Sequence, residues 1–267
     1  MQLKKIFISA LGFDVFCLNK KFLVFNLVSR NLKIKYRRSF LGFLWTIISP
    51  LAMAAVYYFV FRKVMKQERP HYFPLIIGCI LPWTFFSQTI NEATESIVGN
   101  QNLISKVPVP LQVFPYVAAI TNFSTLLLSI PVVIAISTIS GISISWSLAL
   151  LLPHYFVLLV LAYSFGTIFG IYYVFLRDLK HAIGIILQIW FYSTPIVYEP
   201  SMIPEGYRWI LKLNPVGSSF AGIQDAIIGN GSPSFQQLLT SIIWCFLALA
   251  VLRFTFSKFK SEVAEVL

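Results

Sequence analysis

Acidic residues are scarce, with ten Asp and Glu against 21 Lys and Arg in 267 residues. Three His and three Cys nearly complete the groups that could do chemistry. His71, His154 and His181 lie far apart, with no H-E-x-x-H pair and no His/Cys/Asp cluster, so no metal is expected. Cys17, Cys79 and Cys245 lack metal-ligand spacing, and their odd number argues against a disulfide framework; all three read as packing residues. No Gly is followed by Lys, which excludes the G-x-x-x-x-G-K phosphate loop and ATP hydrolysis by that route. Nor do acidic and basic residues run through the apolar stretches, as a proton-coupled transporter would need. No cofactor is expected in this chain. The apolar stretch within 1–18 is interrupted by Asp14, and no A-x-A-like site follows, so a cleaved signal is not expected.

What the chain has in quantity is apolar surface. Hydrophobic residues make 57%, charged residues 12%, and mean hydropathy is +0.77, well above the roughly 45–50% apolar usage of soluble domains. A soluble globular enzyme is excluded. Apolar runs lie at 39–61, 72–90, 115–139, 146–175, 181–197 and 235–256. Six spans of about 20 residues use roughly 120 residues, which leaves no sizeable domain outside them. The expectation is one all-α integral membrane domain, 1–267, with six transmembrane helices.

The net charge of +11 would suggest nucleic acid in a soluble protein. Here Lys4, Lys5, Lys20, Lys21, Arg30, Lys33, Lys35, Arg37 and Arg38 precede the first long apolar run, opposed by Asp14 alone. Such clustering marks a cytoplasmic flank beside anionic membrane lipid, not a nucleic-acid partner. With both termini cytoplasmic, fifteen basic residues fall inside and six outside: Arg62, Lys63, Lys66, Arg69, Arg208 and Lys212. That asymmetry favours the orientation, and the four that follow the first span oppose it. Before that span, Phe25, Val28, Leu32 and Tyr36 recur at helical spacing, with Arg30, Lys33 and Arg37 on the other side. An amphipathic interface helix over 19–38 follows, either a plain anchor or also a docking surface for a cytoplasmic partner.

Pro50, Pro74, Pro82, Pro131, Pro153 and Pro195 sit inside or at the ends of spans and predict a kinked, closely packed bundle. Gly166 and Gly170 form G-x-x-x-G, which permits close helix contact. Glu92 and Glu95 share a helix face near the inner end of the second span, as a solvated helix end or as partners for a cation or an Arg. The segment 198–234 holds two apolar stretches too short to span, separated by Asn214-Pro215, and reads as a re-entrant outer hairpin. Aromatics abound: 25 Phe, 12 Tyr and 6 Trp. Those on spans anchor at interfaces or face a pore where rings stack on sugars. Tyr57, Tyr58 and Phe59 on the first span and Trp190 and Tyr192 on the fifth are the channel-lining candidates.

The stretch KIKYRRSFLGFLWTIISP at 33–50, a basic helix running into Leu-Gly-x-x-Trp and a span proline, resembles the start of ABC-2 type polysaccharide export permeases. FLRDL at 175–179 resembles that family's Arg-Asp turn. STPIVY at 193–198, MIP at 202–204 and LNP at 213–215 resemble its fifth span and outer re-entrant segment. The likeness covers nearly the whole chain and is strongest to O-antigen export permeases, with teichoic acid and capsule exporters as relatives. It implies a non-enzymatic subunit of the bacterial inner membrane. It further implies a homodimer with two separate ATP-binding cassette ATPase subunits that carry ATP and Mg, and a lipid-linked polysaccharide pushed outward through a shared channel. It places a coupling helix in NQNLISKVPVP at 100–110, with Asn100, Leu103 and Lys106 facing the ATPase, supported by Arg177, Asp178 and the interface helix. Rival readings are an ABC-2 drug or lipid exporter, a membrane-embedded glycan transferase, which would need clustered acidic or His residues, and a scaffold.

Overall fold

The computed structural model describes residues 21–37, 42–66, 69–106, 109–198, 202–207, 209–228 and 235–266. Lys4, Lys5, Asp14, Cys17, Lys20, Arg38, Pro108 and Arg208 lie outside them, as do 19–20 of the segment 19–38 and 199–201 and 229–234 of the segment 198–234. Among the described residues all regular structure is helical, the arrangement that pairs backbone N–H and C=O groups within one segment when lipid offers no partner.

The helices are α1 (Lys21–Tyr36), α2 (Trp45–Tyr58, continued by a wider turn Phe59–Val64), α3 (Tyr72–Gly99), α4 (Gln101–Ile104), α5 (Val113–Leu127), α6 (Ile130–Ile139), α7 (Leu151–Phe175), α8 (Leu179–Ser193), α9 (Trp209–Leu213), α10 (Gly217–Ile228) and α11 (Phe235–Val266). Among the described residues five stretches are long and apolar enough to cross a membrane: Trp45–Val64, Tyr72–Gly99, Val113–Ile139, Trp146–Phe175 and Gln236–Phe259. The apolar run at 181–197 gives a shorter helix. Pro195 holds Thr194 extended (φ −105°, ψ 136°), because its ring crowds the preceding residue out of helical backbone. The 15 residues of α8 rise about 22 Å, less than the roughly 30 Å of a hydrocarbon core.

Proline acts within few of the helices. Pro50 and Pro82 lie inside α2 and α3. Pro74 and Pro153 fall in first turns, and Pro131 starts α6, positions whose N–H has no intrahelical acceptor to lose.

α3 is the axis of the molecule, with 78% of its most apolar window buried against 11% for α2. In lipid, apolar burial adds no hydrophobic drive between helices, so fit and hydrogen bonds hold them. A close fit joins α3 to α7. A Cβ on Gly166 would stand 2.6 Å from the Ala93 Cβ, and one on Gly170 would stand 3.2 and 3.3 Å from the Ala93 and Thr94 carbonyl oxygens. The G-x-x-x-G motif is thus the seat of the central helix pair. Phe86, Tyr155 and Phe220 fill the core beside it.

α1 packs Leu27 and Val28 on Val113 and Val117 of α5, with Leu23, Val24 and Leu32 around them. Phe25, expected on the same face as Val28 and Leu32, instead joins Phe22 and Ile34 as an exposed apolar set. Further apolar faces stay open on α2 (Trp45, Met53, Val56, Phe59) and on α8 (Ile185, Ile189).

Candidate functional site

The candidate coupling residues gather at one end of the bundle. There α3 passes into α4, α7 turns into α8, and α1 and the last turns of α11 close the sides. Ile97, Ile171, Val174 and Val263 form an apolar knot, with Ile104 of α4 against it. Asn100 caps this end and donates its amide to the Ser96 carbonyl (2.7 Å). Leu103 is half-buried and Lys106 exposed. Arg177 lies over the Tyr173 ring (5.2 Å), and the exposed Asp178 accepts His181 N–H at its backbone carbonyl (3.0 Å).

Glu92 and Glu95 are engaged rather than merely solvated. Lys35 donates to Glu92 Oε1 (3.1 Å) and to Asn122 Oδ1 (2.8 Å), while Asn122 Nδ2 donates to Glu92 Oε2 (2.8 Å). This closed ring joins α1, α3 and α5. Glu95 pairs with Lys180 at the start of α8 (2.7 Å), and that hydrogen bond raises the Lys180 ammonium above its ordinary value. Arg30, Asn31, Glu92, Glu95, Ser96 and Asn100 line a polar recess of about 270 Å3 beside the ring. Lys33 and Arg37 open instead onto a shallow groove with Arg30 and Ser29. Farther along the bundle, Ser49, Thr84, Gln88, Asn122, Thr125 and Ser129 line a slot of about 530 Å3 between α2, α3 and α5.

The opposite end is tied by polar side chains whose pairing the sequence did not show. Arg69 donates to Gln224 Oε1 (3.1 Å), and Gln224 Nε2 donates to the Pro195 carbonyl (2.6 Å). Tyr72 donates to the Val197 carbonyl (2.6 Å), and Ser147 to the Ala226 carbonyl (2.9 Å). Asn214 accepts Trp190 Nε1–H (2.9 Å) and donates to Thr194 Oγ1 (2.8 Å). The signal was present: amides in apolar surroundings are costly unless paired. Gly78 admits Ile227, and Gly222 lies against the buried His154 ring. Phe220 meets Trp83 at 6.1 Å between centroids, about 16 Å along α3 from Tyr72 at 1.5 Å per residue.

The five aromatic candidates divide. Tyr57 rests on Phe191 (5.6 Å) near Tyr192, whose ring packs on the same Phe191 (5.2 Å) and is exposed, as Phe59 is exposed on α2. Tyr58 turns to Phe73 (5.3 Å). Trp190 is clasped edge-on by Phe86 and Phe165, both at 5.2 Å. Tyr57 and Tyr192 therefore meet, Phe59 follows on the same helix, and Tyr58 and Trp190 pack elsewhere. Cys79 and Cys245 are buried without a disulfide.

The chain is similar to known proteins over most of its length. The chain is 30% identical over 247 residues to the O-antigen export system permease protein RfbA of Klebsiella pneumoniae, covering 90% of this chain and 93% of that one. It is 30% identical over 246 residues to a protein of the same name from Myxococcus xanthus, covering 91% and 94%. The polysialic acid transport protein KpsM of Escherichia coli is 23% identical over 258 residues, covering 91% and 95%. The ABC-2 type transporter family model matches residues 23–228, and with five membrane-length helices around a buried α3 the chain belongs to that family.

Proposed function

We propose that this chain is the membrane-spanning permease subunit of an ATP-driven exporter that moves a lipid-linked polysaccharide of the O-antigen kind outward across the bacterial inner membrane. The observation that carries the reading is its 30% identity to O-antigen export permeases over nine-tenths of its length. The similarity to a polysialic acid transport protein favours capsular polysaccharide as the second cargo.

In this reading two copies pair, and each engages one ATP-binding cassette ATPase, which supplies ATP and Mg. Both termini are cytoplasmic. α8 is the sixth crossing: its start is held by Glu95 at the coupling end, and Trp190 and Thr194 are held by Asn214 at the other. The shortfall of α8 is made up by Thr194, Pro195, Ile196 and Val197, all buried. α1 lies in the cytoplasmic interface, with Phe22 and Phe25 toward lipid tails and Arg30, Lys33 and Arg37 at headgroup level. α10 is re-entrant, a reading supported by Phe220 against Trp83 deep along α3. It closes the outer mouth, whose backbone groups are covered by protein as irregular structure at membrane depth requires.

Tyr57, Phe59 and Tyr192 face the path, while Tyr58 and Trp190 hold their helices behind it. Aromatic faces suit a long polymer because many weak stacking contacts bind without trapping, the logic of multi-site conduction. ATP-driven closure of the partner moves α4, Asn100, Leu103 and Lys106 and so changes the path.

The test is co-expression with the cognate ATPase, gentle solubilisation, and measurement of copy number and glycan-dependent ATP hydrolysis. A two-plus-two complex stimulated by lipid-linked glycan is expected. A complex indifferent to glycan overturns the cargo, and a folded chain that binds no ATPase overturns the transport reading.

A further inference from the structure

Glu92 and Glu95 stand three residues apart near the end of α3, two turns before α4. That spacing puts them on one helix face, yet they hold different elements. Glu92 takes Lys35 of α1 at 3.1 Å, and Glu95 takes Lys180 of α8 at 2.7 Å. α4 travels with the same end, because Ile104 packs on the knot that contains Ile97 of α3. The inner half of α8 is lightly held: between Lys180 and Ile186, Ile183 alone is buried.

We propose that Glu92 and Glu95 are coupling residues, twin ion-pair links that make α1 and α8 follow the end of α3 when the partner ATPase displaces α4. The proposal rests on the exporter reading above. Ion pairs suit this task better than apolar contact does. Coulomb attraction falls slowly with separation, so long side chains keep pulling through a shift of a few ångströms, whereas a gap of about 1 Å already forfeits up to half of a van der Waals contact. Lys180 and Glu95 are half-exposed, with side-chain accessibilities of 52% and 44%. Exposed pairs contribute little to stability, so altering one leaves the fold intact and changes what is transmitted.

The measurement is glycan exported per ATP hydrolysed by the reconstituted permease–ATPase complex. Glu95→Lys should lower this ratio by about five-fold, the upper effect of an exposed ion pair, with complex yield and ATP hydrolysis retained. The exchange Glu95→Lys with Lys180→Glu should restore it. Lys180→Gln, which adds no repulsion, and Glu92→Gln, which keeps an amide oxygen for Asn122, should lower it in the same direction and guard against loss of folding in the reversal. An unchanged ratio in Lys180→Gln and Glu92→Gln, or an exchange no better than the single reversal, overturns the proposal. A parent complex that exports no glycan overturns the exporter reading and this proposal with it, whereas an unchanged ratio in an exporting complex overturns the proposal alone.

Discussion

Asn214 is 5% exposed and uses its whole amide. Oδ1 accepts from Trp190 Nε1 (2.9 Å) and Val216 N (3.1 Å), and Nδ2 donates to Ser193 O (3.1 Å) and Thr194 Oγ1 (2.8 Å). Asn214→Leu keeps the bulk and orphans two donors, at a cost of about 2–4 kcal/mol. A melting temperature in detergent several degrees below that of the parent is expected; an unchanged value would show that water replaces the amide. Lys180 offers a second residue-scale test. Its folded-state pKa is raised by Glu95, so the contribution of the pair is complete below the unfolded lysine value and fades as pH rises through the folded one. Export by Lys180→Arg should therefore hold its plateau further into alkali than the parent does, since guanidinium stays charged.

At the scale of elements, α3 and α7 depend on the absence of two side chains. Gly166→Ala brings two methyl groups into overlap at Ala93, so it should reduce the yield of folded protein, and Ala93→Gly in the same chain should recover it. Gly184, with nothing near its missing Cβ, should accept Ala without loss; lower yield there would contradict the packing of α8. The helical character and the five membrane-length helices were legible because apolar length alone decides them. The helix seat was legible as a motif, although its partner, Ala93, was not, because small residues are common in apolar helices. α8 ends before the apolar run 181–197 does, because Pro195 breaks the helix inside that run. Lys35 was counted as one basic residue among nine, and nothing in local spacing shows that it turns inward to Glu92 and Asn122, which are 57 and 87 residues away.

At the scale of the whole molecule, orientation follows from where charge is free to choose a side. Arg69 was part of the evidence against an outside loop, yet it is spent on Gln224, so it weighs less against N-in, C-in than its count implies. With Cys17, Cys79 and Cys245 replaced, single cysteines at Lys106, Ile144 and Glu205, all exposed, report the arrangement to an impermeant thiol reagent. Position 106 should react from the cytoplasm, and 144 and 205 from outside. If 205 reacts with 106, α8 does not cross and the six-span reading fails. The proposed coupling end came to notice through the family resemblance rather than through any pattern in the residues themselves. The tied opposite end was not legible, because its amides and carbonyls meet across distant parts of the chain.

The Arg69–Gln224 bond also sets an order of events during synthesis. Its partners are 155 residues apart, and at 5–20 residues per second the ribosome takes about 8–30 s to pass from one to the other. The first helical hairpin is therefore threaded into the bilayer before the segment that clasps its turn has been made. Sealing of that end belongs to the last stage of biogenesis, and a chain stalled before α10 leaves its early helices inserted without their cover.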